Sequence, residues 1–220
     1  MAFTLINARP SPFGRKVAIV MLEKGIPFDV RYDVPWGDQT CTPDYSPLQQ
    51  LPILIAGPEE VVYDSAFICD WLELRFPEIP LLPAEPEARL LAMRRRMLGE
   101  RLMEVAQALI FELHRPEPST PWVDRQTRKV IGALAELDRL YGQGTTHPGT
   151  GLDLGDIAVA TTLLGVEFAL ATGLSPDVAA LRWRERHAAL DRAVSALEPR
   201  PSFEQTRPQM MDVNLQATVA

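Results

Sequence analysis

The sequence predicts a mixed architecture, an α/β unit followed by an all-α unit. Three features predict it. The first 32 residues read as strand, helix, strand. The stretch Pro77 to Glu87 (PEIPLLPAEPE) sets four prolines in eleven residues and reads as an extended linker. Beyond it, apolar residues recur only at helical spacing. A chain of 220 residues has room for one large core or two small ones. The expected partition is residues 1–78, residues 87–205 and a tail over 206–220.

In the first unit, Phe3 to Ile6 is a short apolar run that leads into Ala8 to Gly25. Ser11 is a favoured N-cap, and Pro12 is tolerated at the first helical position. Val17, Ala18, Met21 and Leu22 follow at helical spacing, and Gly25 stops the helix. Phe28, Val30 and Tyr32 then alternate with polar residues, as in a half-buried strand, so a right-handed crossover joins two parallel strands. From Asp33 to Leu51, Pro35, Gly37, Pro43 and Pro47 punctuate a loop with one short helical turn. Pro52 to Ile55 and Val61 to Tyr63 form a hairpin around Ala56 to Glu60. A proline opening a strand donates nothing to the ladder, which makes Leu51-Pro52 a candidate cis peptide bond. Asp64-Ser65 caps a helix running through Ile68, Trp71 and Leu72 to Phe76.

In the second unit, Leu90, Met93, Met97, Leu98, Leu102, Ala106, Leu109 and Leu113 mark an apolar stripe. Arg89, Arg94, Arg95, Arg96 and Arg101, interleaved with Glu87, Glu100 and Glu104, read as a solvated, ion-paired face. Pro121 starts a helix with Val123, Val130, Ile131, Leu134, Leu137 and Tyr141 as its expected buried face. A Gly/Thr/Pro loop spans Gly142 to Gly151. Asp153 and Asp156 then form a capping box on a helix that is apolar nearly all round through Leu170 and must be central. Replacing Asp153 by Ala is expected to cost about 1 kcal/mol or more. Pro176 to Ala196 carries the last apolar helical stretch, Arg200-Pro201-Ser202-Phe203 closes it, and the tail from Gln209 is expected to be loosely held.

Two helix N-termini in the first unit, at Ser11 and at Asp64-Ser65, carry unpaired N–H groups and suit an anion, although each set of side chains also serves as an ordinary cap. The element order, with SPFGRKV at Ser11 to Val17, SPLQQLP at Ser46 to Pro52 and YDSAFICDWLE at Tyr63 to Glu73, resembles the glutathione transferase family. The resemblance covers about nine-tenths of the chain and implies a thioredoxin-like domain (βαβ-α-ββα) followed by an all-helical domain. It also implies glutathione as co-substrate, a homodimer, and a detoxifying attack on a small hydrophobic electrophile. By the same resemblance Ser11 faces the thiol, with Phe13 beside it. Leu51 and cis Pro52 offer backbone bonds to the cysteinyl part, and Asp64 and Ser65 hold the γ-glutamyl carboxylate. Gln50 stands where the family often has a Lys for the glycyl carboxylate, and a neutral amide lacks the charge assistance of an ammonium.

The chemistry expected of Ser11 is activation rather than attack. A free thiol titrates near about 8.5, and a hydroxyl donor at a helix N-terminus lowers that value. No His or carboxylate lies in the Ser11 loop to serve as the base a serine nucleophile needs. Ser11 to Gly14 holds no Cys for disulfide exchange. The electrophile is expected between this turn and the helices Leu90–Leu113 and Asp153–Leu170. Isomerisation, dehalogenation or ether cleavage with glutathione, or a binding protein without turnover, are the alternatives. Arg15 is expected either to cross the cleft between the units or to snorkel.

The remaining composition excludes other classes. A net charge of −7 argues against nucleic acid and anionic membranes. No apolar run is expected to reach the roughly 20 residues that span a bilayer, and the N-terminus lacks a signal peptide's charged lead. Cys41, Cys69, His114, His147 and His187 are too scattered for a metal site, and two lone cysteines fit a reducing cytoplasm.

Overall fold

A computed structural model describes residues 3–143 and 151–212. Its N-terminal part is one mixed sheet of β1 (Phe3–Asn7), β2 (Phe28–Tyr32), β3 (Ile53–Ile55) and β4 (Val61–Tyr63), in the order β2-β1-β3-β4. Parallel β1 and β2 are joined by α1 (Pro12–Glu23), as expected of the crossover. β3 runs antiparallel to β1 and turns back into β4. The loop before β3 holds the single turn α2 (Thr42–Tyr45), and the Leu51-Pro52 bond is cis. After β4 comes α3 (Ser65–Arg75). Leu5, Ile6, Ile53 and Leu54 of the two central strands are fully buried. β2 departs from the expected half-buried pattern. It is an edge strand, and Val30 and Tyr32 stay exposed on it.

The remainder is helical: α4 (Pro86–Leu113), α5 (Thr120–Gly142), α6 (Leu154–Thr172), a 3₁₀ turn at Ala179–Leu181, α7 (Ala188–Leu197) and α8 (Pro201–Gln205). This is a thioredoxin-like sheet unit with a helical unit behind it. α6 is the centre of the helical part, and α4 crosses it at two glycines. A Cβ on Gly155 would stand 2.5 Å from the Ala92 carbonyl, and one on Gly99 would stand 2.9 Å from the Val159 nitrogen. The two parts meet along α1 and α6, where Gly165 leaves space for the ring of Pro12.

Several expectations are corrected. Along the first half of α4 the buried face is Ala92, Arg95, Arg96 and Gly99, while Leu90, Met93 and Met97 point outward. Arg95 and Arg96 are therefore not on a solvated face: Arg95 pairs with Asp153, and Arg96 with Asp70 and Glu100. Ile131 is likewise exposed on α5. Pro176 to Ala196 is not one helix, because the chain turns to bury Trp183, whose Nε1 donates to the Leu163 carbonyl. α6 is long and apolar enough to cross a membrane, which the sequence reading missed, and two-thirds of that window is buried inside the protein. The tail begins tied down, since the Arg9 guanidinium donates to Gln209 at 2.6 Å. His147, most of the Gly142–Gly151 loop and the chain beyond residue 212 lie outside the described residues.

Candidate functional site

Strand register decides which loops share an end of the sheet. Ile6 pairs with Ile53, Ile53 with Tyr63, and Asn7 with Tyr32. The C-terminal ends of β1, β2 and β4 and the N-terminal end of β3 therefore lie together. The three motifs that leave or enter there, Ser11 to Gly14, Gln50 to Pro52 and Asp64-Ser65, converge on that end although they are spread over more than fifty positions of sequence.

Ser11 is half-buried and caps α1, its Oγ accepting from the Gly14 N–H at 3.3 Å. The hydroxyl proton stays available to donate. Pro12 has no N–H, and among the described residues the Phe13 N–H has no acceptor, so this turn offers one hydroxyl and one amide at the positive end of a helix. Phe13 itself is half-buried. The turn is braced from below by Asn7, which sequence reasoning missed. Asn7 is buried, its Oδ1 accepts from the Ala8 N–H at 2.8 Å, and a Cβ on Gly14 would fall 1.7 Å from that oxygen. A glycine inside a helix is unfavourable by about 1 kcal/mol relative to Ala, and that was the signal available.

At the start of α3, Asp64 adopts φ 69°, a left-handed conformation that disfavours a side chain. Its carboxylate is turned onto its own helix, accepting from the Ala66 and Phe67 N–H groups at 2.8 and 3.1 Å. Ser65 is buried, and among the described residues neither its N–H nor its hydroxyl has a partner. Arg96 of α4 supports this turn, donating to the Ala66 carbonyl at 2.6 Å and to the Asp70 carboxylate. Burial is the largest single influence and works against the charge on Arg96, but the Asp70 hydrogen bond together with the neighbouring Glu100 and Asp70 charges outweighs it and holds its pKa above the ordinary value. Gln50 is exposed beside Gln49, which also has a positive φ of 51°, and among the described residues Leu51 makes no turn or loop hydrogen bond with its backbone.

Two further side chains close over the layers. Trp36, from the loop after β2, meets Phe111 of α4 edge-on with centroids 6.3 Å apart. This pairing is tertiary, and no local pattern announces it. Arg15 does not turn toward the motifs. It is buried against α8, donating to the Phe203 carbonyl at 3.1 Å and the Thr206 hydroxyl at 3.4 Å. The cysteines are unactivated: burial pushes the Cys69 thiol up to about 11, and burial with the Asp33 carboxylate at 2.9 Å raises that of Cys41.

The chain is similar to known proteins over nearly its whole length. Residues 5–80 match the family model described as the N-terminal domain of glutathione S-transferase. An uncharacterised GST-like protein, YibF of Escherichia coli, is 28% identical over 206 residues, spanning 93% of this chain and 98% of that protein. A crystal structure of a glutathione S-transferase from Methylobacterium radiotolerans in complex with glutathione sulfonate superposes with a TM-score of 0.87 at 37% identity, covering 97% of this chain and 98% of that one. Another, from Methylobacillus flagellatus with glutathione bound, gives a TM-score of 0.84 at 28% identity, covering 94% and 100%.

Proposed function

This chain belongs to the glutathione S-transferase family, and on that footing we propose that it binds glutathione across the end of the sheet where β1, β3 and β4 meet and activates its thiol with Ser11. The observation that carries the reading is the convergence of two helix N-termini with unpaired donors, at Phe13 and at Ser65, on one sheet end. The Ser65 N–H and hydroxyl suit the γ-glutamyl carboxylate. Asp64, an acceptor when ionised, suits the neighbouring ammonium better than an anion, which refines the role expected for it. The Leu51 backbone, beside the cis Pro52, is left for the cysteinyl amide, and Gln50 reaches the glycyl end without charge assistance.

At the sulfur, the Ser11 O–H and the α1 dipole both favour thiolate over thiol. Serine needs no base of its own for this task. Trp36 and Phe111 provide an apolar wall for a small hydrophobic electrophile, and the same thiolate serves transfer, isomerisation, dehalogenation or ether cleavage. A second copy is the proposed cover for Phe67 of α3 and for Leu90, Met93 and Met97 of α4, all of them exposed.

The test is glutathione binding by calorimetry, with spectroscopic titration of the bound thiol, in the parent and in Ser11→Ala. We expect a thiol pKa below about 8.5 in the parent complex, a value restored in the variant, and a loss of about 10²-fold in turnover with binding kept. A bound thiol with an unshifted pKa in the parent would replace this reading with that of a binding or regulatory protein. Failure of glutathione to bind would remove both.

A further inference from the structure

The loop over residues 33–41 leaves the end of β2 and returns to α2, and one carboxylate closes its neck. Asp33 Oδ1 accepts from the Val34 N–H at 2.6 Å. Its Oδ2 accepts from the Cys41 N–H at 2.8 Å, the Cys41 thiol at 2.9 Å and the Thr40 hydroxyl at 3.2 Å. The departing and the returning ends of the loop are thus tied to one side chain, as in a compact Ω-loop. Burial would raise the pKa of Asp33, but these hydrogen bonds outweigh it and hold the carboxyl below its ordinary value. An amide cannot take this place, because its NH₂ would face donors on one side and release one end of the loop.

What the neck presents is Trp36. The Gly37 N–H donates to the Val34 carbonyl at 2.9 Å, which makes a turn with Pro35 and Trp36 at its centre. From there Trp36 crosses to the helical unit and meets Phe111, near the C-terminal end of α4, with the two rings at 86°. Trp36 remains 38% exposed, so its position depends on the loop that carries it more than on burial. The base of the loop is fixed to the other half of the cleft. The Asp33 N–H donates to the Asn7 carbonyl at 2.9 Å, and Asn7 braces the turn that holds Ser11.

We propose that Asp33 is a positioning residue for the electrophile: by closing this neck it sets Trp36 against Phe111, and so fixes the aromatic wall without touching glutathione or electrophile. The inference rests on the glutathione reading and deepens it. Two rings near a right angle give a flat aromatic electrophile one face to stack on and one ring to meet edge-on. A small alkyl electrophile gains little from either. The neck therefore acts on which electrophile is held, and leaves activation of the thiol to Ser11.

The test has two arms on the full chain. In the first, acrylamide quenching of tryptophan fluorescence is expected to increase in Asp33→Asn, and the same substitution is expected to change nothing when made in Trp36→Phe. In the second, Asp33→Asn and Trp36→Ala are each expected to raise the KM for chlorodinitrobenzene about tenfold, with the KM for glutathione held within about twofold. Turnover of iodomethane is expected to be unchanged. The double variant Asp33→Asn/Trp36→Ala is expected to be no worse than Trp36→Ala, since both act through one wall. The proposal is overturned if the two losses multiply, or if Asp33→Asn raises the KM for glutathione as much as that for the electrophile, as a general disturbance of the fold would. Transfer without the quenching change overturns the role of Asp33 alone. The quenching change without transfer to either electrophile overturns the glutathione reading and the wall with it, so the two failures are distinguishable.

Discussion

Arg95 and Asp153 are 1% and 0% exposed, so neither charge has water to fall back on. The guanidinium donates to Asp153, lies 5.2 Å from the Tyr141 ring centroid and, among the described residues, leaves its Nε and Nη1 without hydrogen bonds. Asp153 has two tasks at once, capping α6 through the Asp156 N–H and neutralising Arg95. Capping alone argued for a loss of about 1 kcal/mol on truncation. Breaking this buried pair, with Asp156 left 3.7 Å from the guanidinium as its remaining counter-charge, raises the expectation for Asp153→Ala to about 3 kcal/mol. Denaturant unfolding should show this, with a melting temperature lower by about 10 °C. Asp153→Asn keeps an acceptor for the cap and should lose less. Gly14 poses a steric version of the same dependence. Gly14→Ala must push aside the Asn7 amide that holds the Ala8 N–H, at an expected cost of about 1–3 kcal/mol. Glutathione affinity should fall with it, because the displaced turn is the one that presents Ser11.

At the scale of elements, two helical glycines make opposite predictions. On α6, a methyl at Gly155 would meet the Ala92 carbonyl, and backbone cannot rotate away, so Gly155→Ala should force α4 and α6 apart and destabilise by about 1–3 kcal/mol. On α5, a Cβ at Gly132 would meet nothing within 4 Å, so Gly132→Ala should stabilise by about 0.5–1 kcal/mol through helix propensity. Thermal melts of the two variants separate these outcomes. The contrast also explains what was legible in the sequence. Ser11, Pro52 and Asp64-Ser65 were readable because caps and strand-opening prolines are local signals, and the pairing of β1, β3 and β4 brings those local signals to one end. The inward face of α4 was not. Leu90, Met93 and Met97 keep helical spacing as well as Ala92, Arg95 and Gly99 do, and only the carboxylates and glycines of other helices select the second set. The start of α7 was hidden for the same reason. Its first amides, at Ala189 and Leu190, are capped by Asp138 from α5, fifty residues upstream, and the Arg184 network with Glu167, Asp191 and Glu198 holds the preceding segment off a helical path. Trp36 on Phe111 belongs to the same class of contacts, made by partners that no window of sequence contains.

For the whole molecule, the joint between the chain's two ends sets a pH dependence. Glu23, at the end of α1, accepts from Arg200 at 3.0 and 2.8 Å and from the Ser202 hydroxyl, which ties the first helix to the last. Burial would raise the pKa of Glu23, but the Arg200 and Ser202 hydrogen bonds outweigh it, and the carboxyl sits below its ordinary value. A group whose folded pKa is depressed contributes stability in full above its unfolded pKa and loses it as the pH falls through the folded one. Glu23→Gln keeps the shape and removes the charge. It should therefore be less stable than the parent at neutral pH, and the gap between their melting temperatures should close as the pH drops below about 4. Asp33 and Asp191 also have lowered pKa values, but they titrate alike in both proteins, so the difference between the two curves isolates the joint. A gap that persists unchanged at acid pH would mean that Glu23 acts there by packing rather than by charge. Because α1 carries Ser11 at its opposite end, glutathione affinity of the parent should weaken over the same acid range in which the joint loosens, and that of Glu23→Gln should begin weaker and change less.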